Sequence, residues 1–150
     1  MIRRHALWLV IGIAQLSSCG SEPNDALTGS YALVGVQASP LPYLETSDAD
    51  CDQFISEGSL DLIAGGSYNL EFSGPRDCTR SGGQPSTQGR VYNGSFTQTG
   101  VNTVSFAAEI SGFGTLHFNG TANPLEAFVT VPPIPPQTGP DLILQFAIVR

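Results

Sequence analysis

The chain contains no lysine; its six basic residues are all arginines, set against thirteen carboxylates in 150 residues. Phosphate recognition needs clustered lysine and arginine, so this balance argues against a nucleic-acid-binding domain. Tryptophan occurs once, at Trp8, and histidine twice, at His5 and His117. With one histidine beyond the N-terminal region and no C-x-x-C spacing, a zinc site has no ligand set to draw on. Nor does any stretch after Thr28 carry the three-to-four-residue apolar period of an amphipathic helix, which directs the reading toward an all-β fold.

What is present begins with MIRRH, a cationic start, followed by the apolar run Ala6–Leu16 (ALWLVIGIAQL). That run is only about half of the roughly 20 residues a membrane-spanning helix needs. With its positive front and small-residue end it reads as a secretory signal to be set aside from the fold. Leu16-Ser17-Ser18-Cys19 resembles the lipobox of bacterial lipoproteins. The resemblance implies that residues 1–18 are removed and that Cys19 is acylated as the first mature residue. Two or more acyl chains anchor stably where one gives only reversible binding. It further implies export, with Gly20 after the cysteine pointing to the outer membrane of a Gram-negative cell. Residues 19–27 then form the lipidated cysteine and a short polar tether, and 28–150 the single domain, large enough for one core. The mature chain keeps Arg76, Arg80, Arg90 and Arg150 and has a net charge of −9, so its contact with a membrane must come from the anchor and not from charge.

From Thr28 the apolar period is two. GSYNLEFSG shows it most clearly, with Tyr68, Leu70 and Phe72 alternating with Asn69, Glu71 and Ser73, the signature of a half-buried strand. Seven further segments read alike: Ser30–Gln37, Ser59–Ala64, Arg90–Thr97, Val101–Ala108, Gly114–Asn119, Leu125–Val131 and Asp141–Arg150. Tight connections, such as Gly65-Gly66 between the second and third segments, alternate with long ones at Ala38–Gly58, Gly74–Gly89 and Pro132–Pro140, the short Glu109–Phe113 connection being the exception. In an up-and-down meander the long connections share one end, which places Cys51 and Cys78 on the same rim. Two cysteines in an exported domain most often pair, so a Cys51–Cys78 disulfide is expected. Closing eight strands into an antiparallel barrel removes the exposed edges that an open meander would leave; a two-sheet β-sandwich is the alternative. The first strand begins at the tight-turn end, close to Cys19, so the long-loop rim is expected to face away from the membrane.

Gly29-Ser30-Tyr31 at the start of the first strand is similar to the Gly-x-Trp opening of lipocalin-like domains. The terminal Arg150 resembles the arginine that packs over that aromatic ring. The wider arrangement, including GSLDLIAGGSYNLEF, resembles lipocalin-like bacterial lipoproteins. The resemblance implies a closed barrel with a small apolar ligand or lipid inside. Tyr68, Phe72, Tyr92, Phe96, Phe106, Phe118 and Phe146 lie on the apolar phase of their strands. They would either line such a pocket or fill the interior, since eight strands enclose room for side chains or one small ligand. A filled barrel would act as a non-enzymatic interaction module through Leu41–Glu57, Arg76–Gln88 and Pro132–Pro140.

Asp48, Asp50 and Asp52 resemble the start of a Ca²⁺-binding EF-hand loop, but Gln53 and Ser59 stand where that loop needs glycine and glutamate. They read as a solvated acidic loop. His117 alternates with Leu116 and Phe118 and should face solvent, without a nucleophile or carboxylate in a recognisable arrangement. Glu71 and Glu109 are no better placed. The expectation is a non-enzyme without a cofactor, whose partners are the membrane through Cys19 and a small apolar ligand.

Overall fold

The period-two segments become strands because their alternating apolar side chains share one buried face while the polar ones face water. In the computed structural model, which describes residues 27–149, the elements in chain order are β1 (Gly29–Val36), β2 (Ser39–Pro40), β3 (Tyr43–Ser47), β4 (Asp52–Ile55), β5 (Glu57–Ile63) and β6 (Ser67–Asp77), followed by β7 (Ser86–Gln98), β8 (Thr103–Ile110), β9 (Gly114–Ala122), β10 (Glu126–Val131) and β11 (Leu142–Ile148). Cys19, Arg150 and the segment 1–18 lie outside the described residues.

Strands β1, β5, β6, β7, β8, β9, β10 and β11 pair antiparallel in that order, and β11 returns to β1. The circuit is a closed eight-stranded up-and-down barrel, not a sandwich. Tyr31 marks the closure, with Leu60 of β5 on one side and Ile148 of β11 on the other.

Two of the expected long loops are largely strand. The stretch Ala38–Gly58 is an excursion: β2 folds back on β1, and β3 and β4 form a hairpin. β4 then runs on almost into β5, and both lie along β6, which pairs with β5 from Ser67 to Ser73 and with β4 at Arg76 and Asp77. The stretch Gly74–Gly89 also shrinks, because β6 and β7 stay paired out to Arg76 and Ser86. Only residues 78–85, with a 3-10 turn at Thr79–Ser81, remain as loop. Glycine and proline at 74, 75 and 89 suggested turns. Here Gly74 instead admits the close passage of β4, since a Cβ on it would meet the Phe54 carbonyl oxygen at 2.2 Å. Thus β6 and β7 rise above the barrel as a long ribbon, with the β3–β4 hairpin laid beside it.

Glycine serves barrel closure at Gly94. An added Cβ there would come within 1.8 Å of the Ala107 carbonyl oxygen on β8. The Asn93-Gly94 pair is thus strand interior. Gly120, one residue beyond the segment Gly114–Asn119 read from the sequence, also lies inside a strand, and β9 continues to Ala122.

Candidate functional site

The seven inward aromatics are all buried, none more than 4 % exposed. Six of them, all but Phe146, pack on one another across the barrel. Phe106 stacks on Phe118 with centroids 5.2 Å apart, and Tyr68 meets Phe106 edge-on at 4.9 Å. Tyr92 meets Phe118 at 5.8 Å, while Phe72 stacks over Tyr92 at 6.1 Å. Such offset and edge-on pairs suit the ring quadrupoles and add to area burial. With Leu70, Val104, Leu144 and Phe146 they form one continuous core. The Tyr68 hydroxyl is buried in it without a protein hydrogen-bond partner, and the buried Tyr92 hydroxyl lies next to the Arg90 guanidinium. Burial pushes the pKa of both phenols up; at Tyr92 the nearby Arg90 charge offsets part of that rise.

The inward rows of β6 and β7 change character as they climb. On β7 the row runs Phe96, Gly94, Tyr92, then Arg90 and Gln88; on β6 it runs Tyr68, Leu70, Phe72, Gly74, then Arg76. Phe72 and Arg90 are cross-strand partners. The guanidinium carbon of Arg90 lies 5.6 Å from the Phe72 ring centroid, a cation–π placement. Arg90 also forms an ion pair with Glu45 on β3, and the two side chains are only 25 % and 10 % exposed. Arginine and glutamate therefore close the aromatic interior from above.

Above this pair lies a cleft of about 400 Å³, within the range typical of small-molecule sites. The β3–β4 excursion contributes Tyr43, Glu45 and Gln53; the ribbon contributes Arg76, Gln88 and Arg90. The third wall is the proline-rich strap between β10 and β11, through Val131, Pro133, Gln137 and Leu142. A second cleft of about 320 Å³ shares Gln53, Gln88, Arg90 and Gln137 and reaches down to Phe72. Of the seven aromatics, Phe72 alone borders the clefts of this rim.

The walls are held in place locally. Asp48 Oδ1 accepts the N–H groups of Asp50 (2.8 Å) and Cys51 (2.7 Å), which closes the β3–β4 turn. Those two backbone donors hold the Asp48 carboxyl below its ordinary pKa. Cys51 is bonded to Cys78, with Cα atoms 4.1 Å apart, so the hairpin tip is fixed to the β6–β7 loop as expected. Arg80 in that loop forms an ion pair with Asp52. The strap is fixed at its far end by Gln37, whose Nε2 donates to the Asp141 carbonyl oxygen at 2.7 Å.

Two members of the acidic triplet have separate partners. Asp48 caps a turn while Asp52 faces Arg80, and no metal-binding cluster of histidine, cysteine or acidic groups occurs among the described residues. His117 is exposed on β9, as its alternation indicated. Glu71 lies beside the Ser59 hydroxyl and Glu109 accepts a hydrogen bond from Thr115, so the two serve separate strand pairs.

The cleft lining carries two carboxylates, Glu45 and Asp48, and two arginines, Arg76 and Arg90. Glu45 is engaged by Arg90 and Asp48 by the backbone. Arg76 lines the cleft and, among the described residues, forms no ion pair. The Gln53 Oε1 atom, on the same wall, is a buried acceptor without a protein donor. The three segments singled out as an interaction surface in a filled barrel do supply most of the cleft. Arg90 and Glu45 were not singled out. The available signal was an arginine on the inward phase of a strand, two residues above Tyr92.

In comparisons with protein families, with curated proteins and with solved structures, nothing matches this chain.

Proposed function

We propose that this protein is a lipid-anchored envelope protein, lipocalin-like in architecture, whose barrel supports a non-catalytic binding cleft at its long-loop rim. The observation that carries the reading is the contrast between an interior filled by stacked aromatic rings and a cleft of about 400 Å³ directly above them. A ligand in this reading sits on the barrel, over Phe72 and Arg90, instead of within it. The cleft's chemistry favours a small organic anion. Tyr43, Val131, Pro133 and Leu142 offer apolar and aromatic surface, Arg76 offers a cation that lies in the field of Asp48 but forms no ion pair among the described residues, and three glutamine side chains offer paired donors and acceptors. The lipobox-like Leu16–Cys19 segment supports anchoring at Cys19, with export to the outer membrane.

Two measurements test the reading. Native mass spectrometry of protein purified from its own membranes should find a small adduct retained under gentle conditions. Titration with 1-anilinonaphthalene-8-sulfonate, an aromatic organic anion, should show fluorescence enhancement, with affinity about tenfold weaker in Arg76→Gln, equivalent to about 1.4 kcal/mol. Unchanged affinity in Arg76→Gln would remove the cleft as the anion site.

A further inference from the structure

The fold leaves four large aliphatic side chains exposed at the end of the barrel opposite the cleft. They are Val101 at 88 %, Val149 at 59 %, Leu125 at 58 % and Ile63 at 49 %. Ile63 closes β5, Val101 lies in the β7–β8 turn, Leu125 in the β9–β10 turn, and Val149 follows β11. Single exposed apolar residues need no explanation, whereas a set gathered at one end of a barrel does. The end is firmly built. Phe96 N–H donates to Gly66 O, Ala122 N–H to Asn102 O and Ile148 N–H to Leu125 O, all within 2.9 Å. Val149 N–H donates to Ser30 O, also at 2.9 Å.

Two independent features indicate what this end meets. The chain enters the barrel here: the Tyr31 hydroxyl lies 3.1 Å from Leu27 O and 3.2 Å from Asn123 O, joining the start of the domain to the β9–β10 turn. Cys19 precedes Leu27 by eight residues, so even a fully extended tether places it within about 28 Å of this end. Charge is also segregated. The turns at 64–66, 99–102 and 123–125 carry no charged residue, and among the described residues the nearest carboxylates are Asp61 and Glu126 on flanking strands, while Glu22 and Asp25 of the tether lie outside the described residues. The opposite rim carries seven carboxylates (Glu45, Asp48, Asp50, Asp52, Asp77, Glu109 and Asp141) against three arginines (Arg76, Arg80 and Arg90), so it is net acidic.

We infer that the tight-turn end is a lipid-docking face, with Val101, Leu125, Val149 and Ile63 seated in the headgroup region of the membrane that holds the anchor. The inference rests on lipidation at Cys19 and adds to it a fixed orientation. A lipid on a short tether confines the barrel but does not orient it. Aliphatic burial at one end does, and repulsion between the acidic rim and anionic headgroups acts in the same sense. The cleft then opens away from the bilayer.

The mature lipidated protein contains no tryptophan, because Trp8 precedes Cys19, so single reporters can be introduced. The lipidated protein carrying Val101→Trp, Leu125→Trp or Phe113→Trp is reconstituted in brominated phosphatidylcholine vesicles. Phe113 is 55 % exposed in the β8–β9 turn at the far end and serves as the control. Quenching at positions 101 and 125 at least twice that at 113 is expected. All three sites are exposed, and Val149→Trp supplies a further reporter if one variant fails to fold. Equal quenching in protein whose mass confirms the lipid would overturn docking while leaving the anchor intact. Absence of the lipid mass would overturn the anchor and the docking with it. Equal quenching with a concentration-dependent doubling of mass would assign the face to a second copy of the chain, and so also overturn the lipid contact.

Discussion

Arg90 lies between the Glu45 carboxylate and the face of Phe72, its guanidinium carbon 5.6 Å from the ring centroid. One side chain thus joins the top layer of the aromatic core to the hairpin that walls the cleft. Removing either charge leaves the other partly buried and unpaired, which costs more than losing an exposed pair. A double-mutant cycle with Glu45→Ala and Arg90→Ala should give a coupling of about 1–2 kcal/mol. A coupling below ~0.3 kcal/mol would show that the pair does not hold the hairpin.

The Cys51–Cys78 bond closes a sequence separation of 27 residues. The chain-entropy account gives about 3.5 kcal/mol for a loop of that size. Replacing both cysteines by serine should lower Tm by roughly 10–15 °C for a domain of this length. Hydrogen exchange should rise first at the β3–β4 turn and in residues 78–85. Unchanged Tm and exchange in the double variant would mean that the cleft walls are held by Asp48 and Arg80 without help from the covalent link.

Gly94 has no room for a side chain, because the Ala107 carbonyl oxygen occupies the place of a Cβ. Gly94→Ala should therefore cost about 3 kcal/mol or more through displaced backbone. Gly139, with open space around it, should accept alanine with little effect. Chemical denaturation of the two variants side by side checks this contrast.

Alkaline titration reports on the core. Burial raises the pKa of Tyr31, Tyr68 and Tyr92 in the folded state, whereas an unfolded tyrosine ionises near 10. Above pH ~10 the folded chain holds more protons than the unfolded one, so stability is full below that point and falls as pH rises toward the folded values. Phenolate absorbance from these three residues should appear together with loss of the β-sheet circular dichroism signal. Their ionisation at pH 10 in a folded barrel would contradict a packed interior.

The eight barrel strands were legible in the sequence because alternation in Tyr68-Leu70-Phe72 and its counterparts follows directly from a backbone that points successive side chains to opposite faces. The shared rim of Cys51 and Cys78 followed from the same regularity, since alternate connections of a meander lie at one end. The β3–β4 hairpin was not legible. Its segment, YLETSDADCDQFI, is short, polar and interrupted, and it pairs because β6 rises beside it. Asp48 and Asp52 looked alike in the chain but were separated by a turn that one of them caps.

Local sequence thus determined which residues face inward, because the backbone period is a property of neighbouring residues alone. Only the tertiary structure decided whether the inward aromatics enclose space or consume it. That outcome depends on how rings from β6, β7, β8 and β9 meet across the barrel. It also decided that Arg76 and Arg90, strand residues on the inward phase, emerge at the rim, where carboxylate and water are within reach of a charge the core could not hold.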